Sequence, residues 1–335
     1  FFPKKDVVGL DIGSSSVKLL ELEETKAGYR LKNVGIGFFP SGAIIDGALR
    51  EPGVVADIIR NLVSNLKVKN KNVAASISGH SVIIKSISLP IMTEQELEES
   101  IKWEAEQYIP FEIDDVNIDF QILGENPEDK SRMNVLLVAA KLDMINDYTA
   151  VIKEAGLNTV IMDIDSFALE NMFEANYSSE NGETIALIDI GASILNMNVL
   201  KNGVSVFTRD VSIGGNKITA EIQKRKDLSY EEAETLKMGG EIEGIDLSDI
   251  EEILRDVSLP LVVEIKRSLD FFWATFVEEQ ISKIYLSGGL SKSARFKRII
   301  ENRVADVPVE VLNPFANIDC SEKSFDPEYI EYIAP

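Results

Sequence analysis

Two clusters of acid, glycine and serine stand out by residue type and spacing. Asp11, Gly13, Ser14, Ser15 and Ser16 fall between apolar runs in "VVGLDIGSSSVKLLEL" (7–22), and Asp189, Gly191, Ala192 and Ser193 occupy matching positions in "LIDIGASILNMNVL" (187–200). An apolar strand ending in Asp places a carboxylate at its carboxyl end, and the glycine lets the backbone turn so that its N–H groups face outward. Such N–H groups with nearby hydroxyls form a concavity for phosphate oxygens, leaving Asp11 and Asp189 to hold Mg²⁺ through water. Lys18, on the following strand, can reach the same phosphates as a point charge. In one copy, Asp and Ser more often satisfy their own turn. Two copies, one early in each part of the chain, would grip a polyphosphate from both sides.

Further glycine pairs follow strands. In "KIYLSGGLSK" (283–292), Gly288 and Gly289 precede Ser291, a pattern that allows close backbone approach to a flat base or sugar. In "SIGGNKITAEI" (212–222), Gly214 and Gly215 open a helix whose amino end favours an anion. Glu234 and Lys237 fall at i, i+3 on the helix of "YEEAETLKMG" (230–239), and spacing alone reads them as a solvent-exposed ion pair.

The elements that must carry these residues alternate strand and helix, the α/β pattern. Strands 7–12 and 17–22 and a third in "YRLKNVGIGFF" precede helix 53–66, with Val54, Ile58, Leu62 and Leu66 on one face. Two strands joined at Gly79-His80 follow. A compact unit at 90–156 then reads as helix, strand, strand, helix, opened by the Thr93/Glu96 capping box and closed by Gly156. From 157 the larger pattern resumes with strand "TVIMDI" and helix 166–176. A meander turning at Asn202-Gly203 follows, then helices at 216–226, 230–238 and 249–278. The predicted division is 1–89 with 157–178 as a first half, 90–156 as an insert, and 179–335 as a second half with a helical part at about 214–280. The tail, 313–335, is rich in Pro and acids and reads as loop or surface wrap.

Composition removes several classes of function. The 335 residues carry a formal net charge of -22, so the long-range field repels nucleic acid and anionic lipid. "KVKNK" (67–71) and "KRK" (224–226) are too short to reverse this. His80 and Cys320 are the single histidine and cysteine, which excludes an internal disulfide, the usual zinc sites and histidine triads. No apolar run approaches a membrane span, and "FFPKKD" does not resemble a signal peptide. A soluble, cytoplasmic chain in a reducing compartment is expected.

The paired D-I-G-[SA]-S hairpins followed by strand-G-G-L-S resemble the phosphate and adenosine segments of the superfamily of actin, sugar kinases and heat-shock chaperone ATPases. Within it, "LPIMTEQELEESIKWEAEQYIPF" (89–111), "SLDFFW" (268–273), "SGGLSK" and "VLNPF" (311–315) are similar to the PilM family of type IV pilus assembly proteins, actin-like relatives of the division protein FtsA. The resemblance implies an actin-like ATPase fold of two RNase H-like halves, with ATP or ADP and Mg²⁺ in the cleft between them and an inserted FtsA/PilM-type α+β subdomain. By position it implies Asp11 and Asp189 as the Mg²⁺-side acids. Gly13, Ser14, Ser15, Ser16, Lys18, Gly191, Ala192 and Ser193 would contact phosphates. Gly214, Gly215, Glu234, Lys237, Gly288, Gly289 and Ser291 would contact the nucleoside.

The resemblance further implies that a groove between insert and first half takes the amino-terminal cytoplasmic peptide of the membrane protein PilN. Other pilus platform and motor proteins would be further partners. The chain would then lie at the inner membrane through a protein, without nucleic acid and without direct insertion. The family usually closes with a helix beyond "IAP" (333–335). Hydrolysis would need a residue orienting water at 163–170, where Asp163 and Asp165 are the candidates and Asp165 can instead cap helix 166–176. The alternatives are an ATPase or small-molecule kinase of the same superfamily, an FtsA-like division protein, or service in a related secretion machine.

Overall fold

The computed structural model describes residues 7–177, 182–304, 307–321 and 325–333; the "FFPKKD" start, the boundary expected at 178–179 and the closing "AP" lie outside them. Two sheets share one topology. In the first, Val8–Ile12, Ser16–Thr25 and Gly28–Phe38 form an antiparallel meander, Asn72–Ile77 lies parallel to Val8–Ile12, and Asn158–Ile164 lies parallel to Asn72–Ile77. In the second, Thr184–Ile190, Leu195–Lys201 and Val204–Val211 repeat the meander, Lys283–Ser287 lies parallel to Thr184–Ile190, and Val309–Val311 lies beyond it. The repeated letters around Asp11 and Asp189 thus belong to a repeat of five strands in the same order.

Parallel neighbours need a crossover, and helices supply it. Helix Pro52–Asn65 rests on the first meander, where a Cβ on Gly35 would lie 2.9 Å from Leu66 and one on Gly37 would lie 2.8 Å from Ile58. That close seat changes the expected face: Val55, Ile59, Leu62 and Val63 enter the core, and Ile58 and Leu66 pack at its margin. In the second half the corresponding crossover expands into helices Asn216–Lys226, Tyr230–Lys237 and Leu247–Thr275.

The inserted unit differs from its expected bounds at both ends. Its sheet has Arg132–Lys141 in the middle, flanked by Val82–Pro90 and Val116–Glu125, so its first strand begins before residue 90. Helix Glu94–Ala105, with the Thr93/Glu96 capping box formed, packs Leu97, Ile101 and Ala105 against Val135, Leu137 and Ala139. Helix Leu142–Glu154 leaves the unit, because Tyr148, Val151 and Ile152 join the core of the first half. It is the crossover that lets Asn158–Ile164 lie parallel to Asn72–Ile77.

The tail also departs from expectation. Ile318–Asp319 pairs in parallel with Tyr29 and Arg30, and helix Pro327–Ile333 buries Ile333 against Leu31 and Val34. Leu312 still belongs with the second sheet, so the chain returns to the first half after it. Part of the range expected in the second half therefore closes on the first.

Candidate functional site

Both acid–glycine–serine turns face one cleft of about 1760 Å³. Their geometry matches: Gly13 N–H donates to the Ser16 carbonyl at 3.0 Å, and Gly191 N–H donates to the Ile194 carbonyl at 3.0 Å. Between these closures, the N–H groups of Ser14, Ser15, Ala192 and Ser193 have no protein acceptor among the described residues. All four residues line the cleft. The same strand register sets Lys18 across from Asp11 but Asn196 across from Asp189.

That single difference shapes the electrostatics. Lys18 Nζ donates to Asp11 Oδ2 at 2.7 Å, and the Asp11 carboxylate, followed by Asp189 and Asp165, holds the Lys18 ammonium above its usual range. Asp189 has the more distant pull of Lys18 and a hydrogen bond from the Ser287 side chain. Burial, with repulsion from Asp11 and Asp165, pushes it up to about 6.

Asp165 is the third acid of the cleft. The residue capping helix Asp165–Asn176 is Ile164, with no side-chain cap, so the capping role considered for Asp165 is not observed. Its carboxylate is hydrogen-bonded by Ser76 and Ser78 instead, while burial and the Asp11 charge push it up to about 6. Asp163 turns elsewhere: its Oδ1 accepts the Ile164 N–H at 2.8 Å, and it does not line the cleft.

The glycine pairs have different duties. Gly288 has φ +81, and a Cβ there would lie 2.5 Å from the Ile190 carbonyl oxygen and 2.7 Å from Asp189 Oδ1. The turn must therefore be glycine to lie against the second hairpin. Gly289 lines the cleft with open space around it. Ser291 is 2% exposed and donates its hydroxyl to the Gly288 carbonyl at 2.7 Å. Gly214 does not line the cleft, for a Cβ would lie 2.5 Å from the Ala192 carbonyl oxygen. The N–H groups of Gly215 and Asn216 donate to the Gly191 and Ala192 carbonyls at 3.0 and 2.8 Å. The amino end of helix Asn216–Lys226 thus braces the second hairpin, and the anion expected there finds its donors already used.

Glu234 and Lys237 correct the exposed ion-pair reading. Lys237 is 5% exposed, bonded to Glu234 and, at 2.9 Å, to Thr219 Oγ1. Ala233 and Leu236 on the same helix enter the core and draw the pair inward, and burial pulls the Lys237 ammonium down. The structure brings together in the cleft every residue singled out from sequence except Asp163 and Gly214. It adds Ser76, Ser78, Asn196, Asn216 and Lys292. Ser78-Gly79 follows strand Asn72–Ile77 as Gly288-Gly289 follows strand Lys283–Ser287, so comparing the residues just beyond these two parallel strands would have pointed to Ser78.

The donor set fits a phosphate chain with a divalent cation. Residues whose N–H groups have no acceptor among the described residues line the cleft from both sides, and three carboxylates repel one another across it. A divalent charge there would relieve the repulsion. Among the described residues no group of three or more His, Cys, Asp or Glu side chains is placed to bind a metal directly. Mg²⁺, which favours water and phosphate oxygens, would accordingly be held by nucleotide and water, with Asp11 and Asp189 beyond.

Two sheets sharing one five-strand order, with repeated Asp-x-Gly hairpins facing a shared cleft, define the actin-like ATPase fold. MreB5 of Spiroplasma citri, solved bound to AMPPNP, shares that fold, with a TM-score of 0.51 and 14% identity over 91% of this chain and 90% of that one. The family model for type IV pilus assembly protein PilM matches residues 9–331, and the chain belongs to that family. The solved PilM-PilN type IV pilus biogenesis complex is similar over 99% of this chain and 96% of its own, with a TM-score of 0.87 and 28% identity. The cell division protein FtsA of Streptococcus pneumoniae is 23% identical over 78% of this chain, which spans 66% of that protein's length.

Proposed function

We propose that this chain is a nucleotide-binding scaffold of the type IV pilus assembly platform. ATP or ADP with Mg²⁺ lies between its two hairpins. The observation that carries this reading is the pair of hairpins, closed by the same 3.0 Å bond, that present free N–H groups to one cleft. Phosphates sit against residues 13–16 and 191–193, with Lys18 beside them. Asp11 and Asp189 orient the hydrated metal. The nucleoside lies between Gly288-Gly289 and the helix that bears Glu234 and Lys237.

The second part of the proposal is a partner. An amino-terminal cytoplasmic peptide of a PilN-type membrane protein docks between the inserted unit and the first half. The likeness to the PilM-PilN complex over nearly the whole chain supports this. Among the described residues no helix is long and apolar enough to cross a membrane, so attachment to the inner membrane would run through that partner.

Isothermal titration separates the two parts. ATP with Mg²⁺ should bind with one-to-one stoichiometry, and a peptide of the partner's amino terminus should bind the same protein. Absence of nucleotide binding by the folded chain would remove the first part, and absence of peptide binding the second.

A further inference from the structure

We propose that the turn 78–82 couples the occupancy of the cleft to the pose of the inserted unit, with Asp210 as the positioning residue that ties this turn to the second half. The inference rests on the nucleotide reading above and names how that site is read.

The turn is held from three directions. On the first half, Ser78 and the nearby Ser76 hydrogen-bond Asp165 in the cleft. From the second half, Asp210 Oδ2 accepts the Gly79 N–H at 2.7 Å, and Ser212 Oγ lies 2.7 Å from His80 Nε2. Gly79 has φ +94, and a Cβ there would lie 3.1 Å from Ile194 of the second hairpin. On the insert, the Ser81 carbonyl accepts the Lys141 N–H at 2.9 Å, and Val82 opens the first strand of its sheet, opposite Ala140.

The second-half anchor leads back to the phosphate contacts. Asp210 and Ser212 are followed by Gly215 and Asn216, whose N–H groups hold the Gly191 and Ala192 carbonyls. Hydrogen-bonded contacts therefore run from the second hairpin, through 210–216 and 79–80, into the insert. Asp210 is a half-buried carboxylate bonded, among the described residues, to a single backbone N–H, an arrangement with a directional demand. Its counterpart turn at Gly288 packs on its own half, against Ile190 and Asp189, so only the first-half turn crosses the cleft.

A change in the angle between halves must carry the turn 78–82 with it or break the Asp210–Gly79 bond. Either outcome resets the strand that begins at Val82. A ligand that favours one angle thereby favours one pose of the insert, and the coupling is reciprocal. Gly79, His80, Asp210 and Ser212 do not line the cleft, so the link can be cut without removing a ligand contact.

The test is amide hydrogen exchange on the full chain with and without saturating ATP and Mg²⁺, with nucleotide affinity titrated in the same samples. In the unaltered chain, exchange in 82–90 and 132–141 should change by about threefold or more on binding. Asp210→Ala should bind nucleotide within about twofold of the unaltered chain yet lose that change. Asp210→Asn, which keeps an oxygen for the Gly79 N–H, should retain it. An insert that ignores bound nucleotide, or an Asp210→Ala chain that responds normally, overturns the coupling. An unaltered chain that binds no nucleotide overturns the underlying reading as well. Should Asp210→Ala fail to fold, the exposed His80→Ala change together with Ser212→Ala should reduce the response, and an unreduced response counts against the proposal.

Discussion

The two halves repeat one backbone and differ in the charge they place on it. Each places Asp one residue before the end of its first strand, turns through glycine, and closes the hairpin with a 3.0 Å bond. Across from that Asp the first half has Lys18 and the second has Asn196. Asp11 is consequently ion-paired at 2.7 Å, while Asp189 carries its charge against burial and two neighbouring carboxylates. The duplicated hairpins carry matching backbone N–H groups without a protein acceptor among the described residues, and one changed cross-strand residue decides which half brings a cation and which leaves a carboxylate needing one.

The largest effect should come from the glycine that fixes the second hairpin. Gly288→Ala drives a methyl to 2.5 Å from the Ile190 carbonyl in a left-handed conformation, which should lower stability by about 3 kcal/mol or more. Gly289→Ala meets nothing within 4 Å and should stay within about 0.5 kcal/mol of the parent chain. Urea titration of both variants measures the contrast; equal stabilities would show that the Gly288 turn does not brace the hairpin.

Nucleotide affinity comes next. Asp11→Ala and Asp189→Ala should each weaken ATP binding in Mg²⁺ by about 10- to 100-fold, or about 1.4–2.7 kcal/mol, in titrations of folded protein. Affinities unchanged in both variants would dismiss the assigned metal side. A conservative change separates the two acids more finely. Asp189→Asn should stabilise the nucleotide-free chain at pH 7.5 by about 1–2 kcal/mol. Asp11→Asn should give no such gain, because it strips Lys18 of its partner.

The same asymmetry has a pH signature. The folded chain raises Asp189 to about 6, so it holds that proton more tightly than the unfolded chain does. The resulting stabilisation is present below the unfolded value and is lost as pH rises through about 6. The advantage of Asp189→Asn should therefore shrink toward zero between pH 7.5 and pH 4, read from denaturant midpoints across that range. A difference that stays constant with pH would mean the carboxylate is not strained. The smallest effect is expected for Lys18→Gln, which should reduce ATP affinity by about 10-fold or less, since the proposed phosphate contacts are mostly backbone N–H groups.

How much could be read beforehand depended on whether a feature repeats locally. The two hairpins were legible because the same letters recur in the same strand context, and the strand order then followed. Asn196 lay inside the quoted repeat, but its weight appears only once register sets it opposite Asp189. Ser76 and Ser78 matter through a carboxylate about ninety positions away, a distance that no local pattern crosses. Helix Leu142–Glu154 sat next to the insert in sequence and packs with the first half, since Tyr148, Val151 and Ile152 face that core. In the tail, Tyr329, Ile330 and Ile333 do fall at helix spacing, but the helix is only 7 residues long and the remaining contacts, Phe315, Ile318 and Phe325, lie outside it, so periodicity could not show the docking.

The tail's return has a mechanical side. The chain passes between the halves along helix Asp165–Asn176 and again after Leu312, and the two passages are lashed together. Asn313 N–H reaches the Tyr177 hydroxyl at 2.9 Å, and Asn317 N–H reaches Asn176 Oδ1 at 2.9 Å. Two cords knotted side by side act as a door hinge, permitting a swing while resisting sliding, twisting or parting. A swing of one half on the other would accordingly bend both passages together at this seam, because the bonds at Tyr177 and Asn176 tie them.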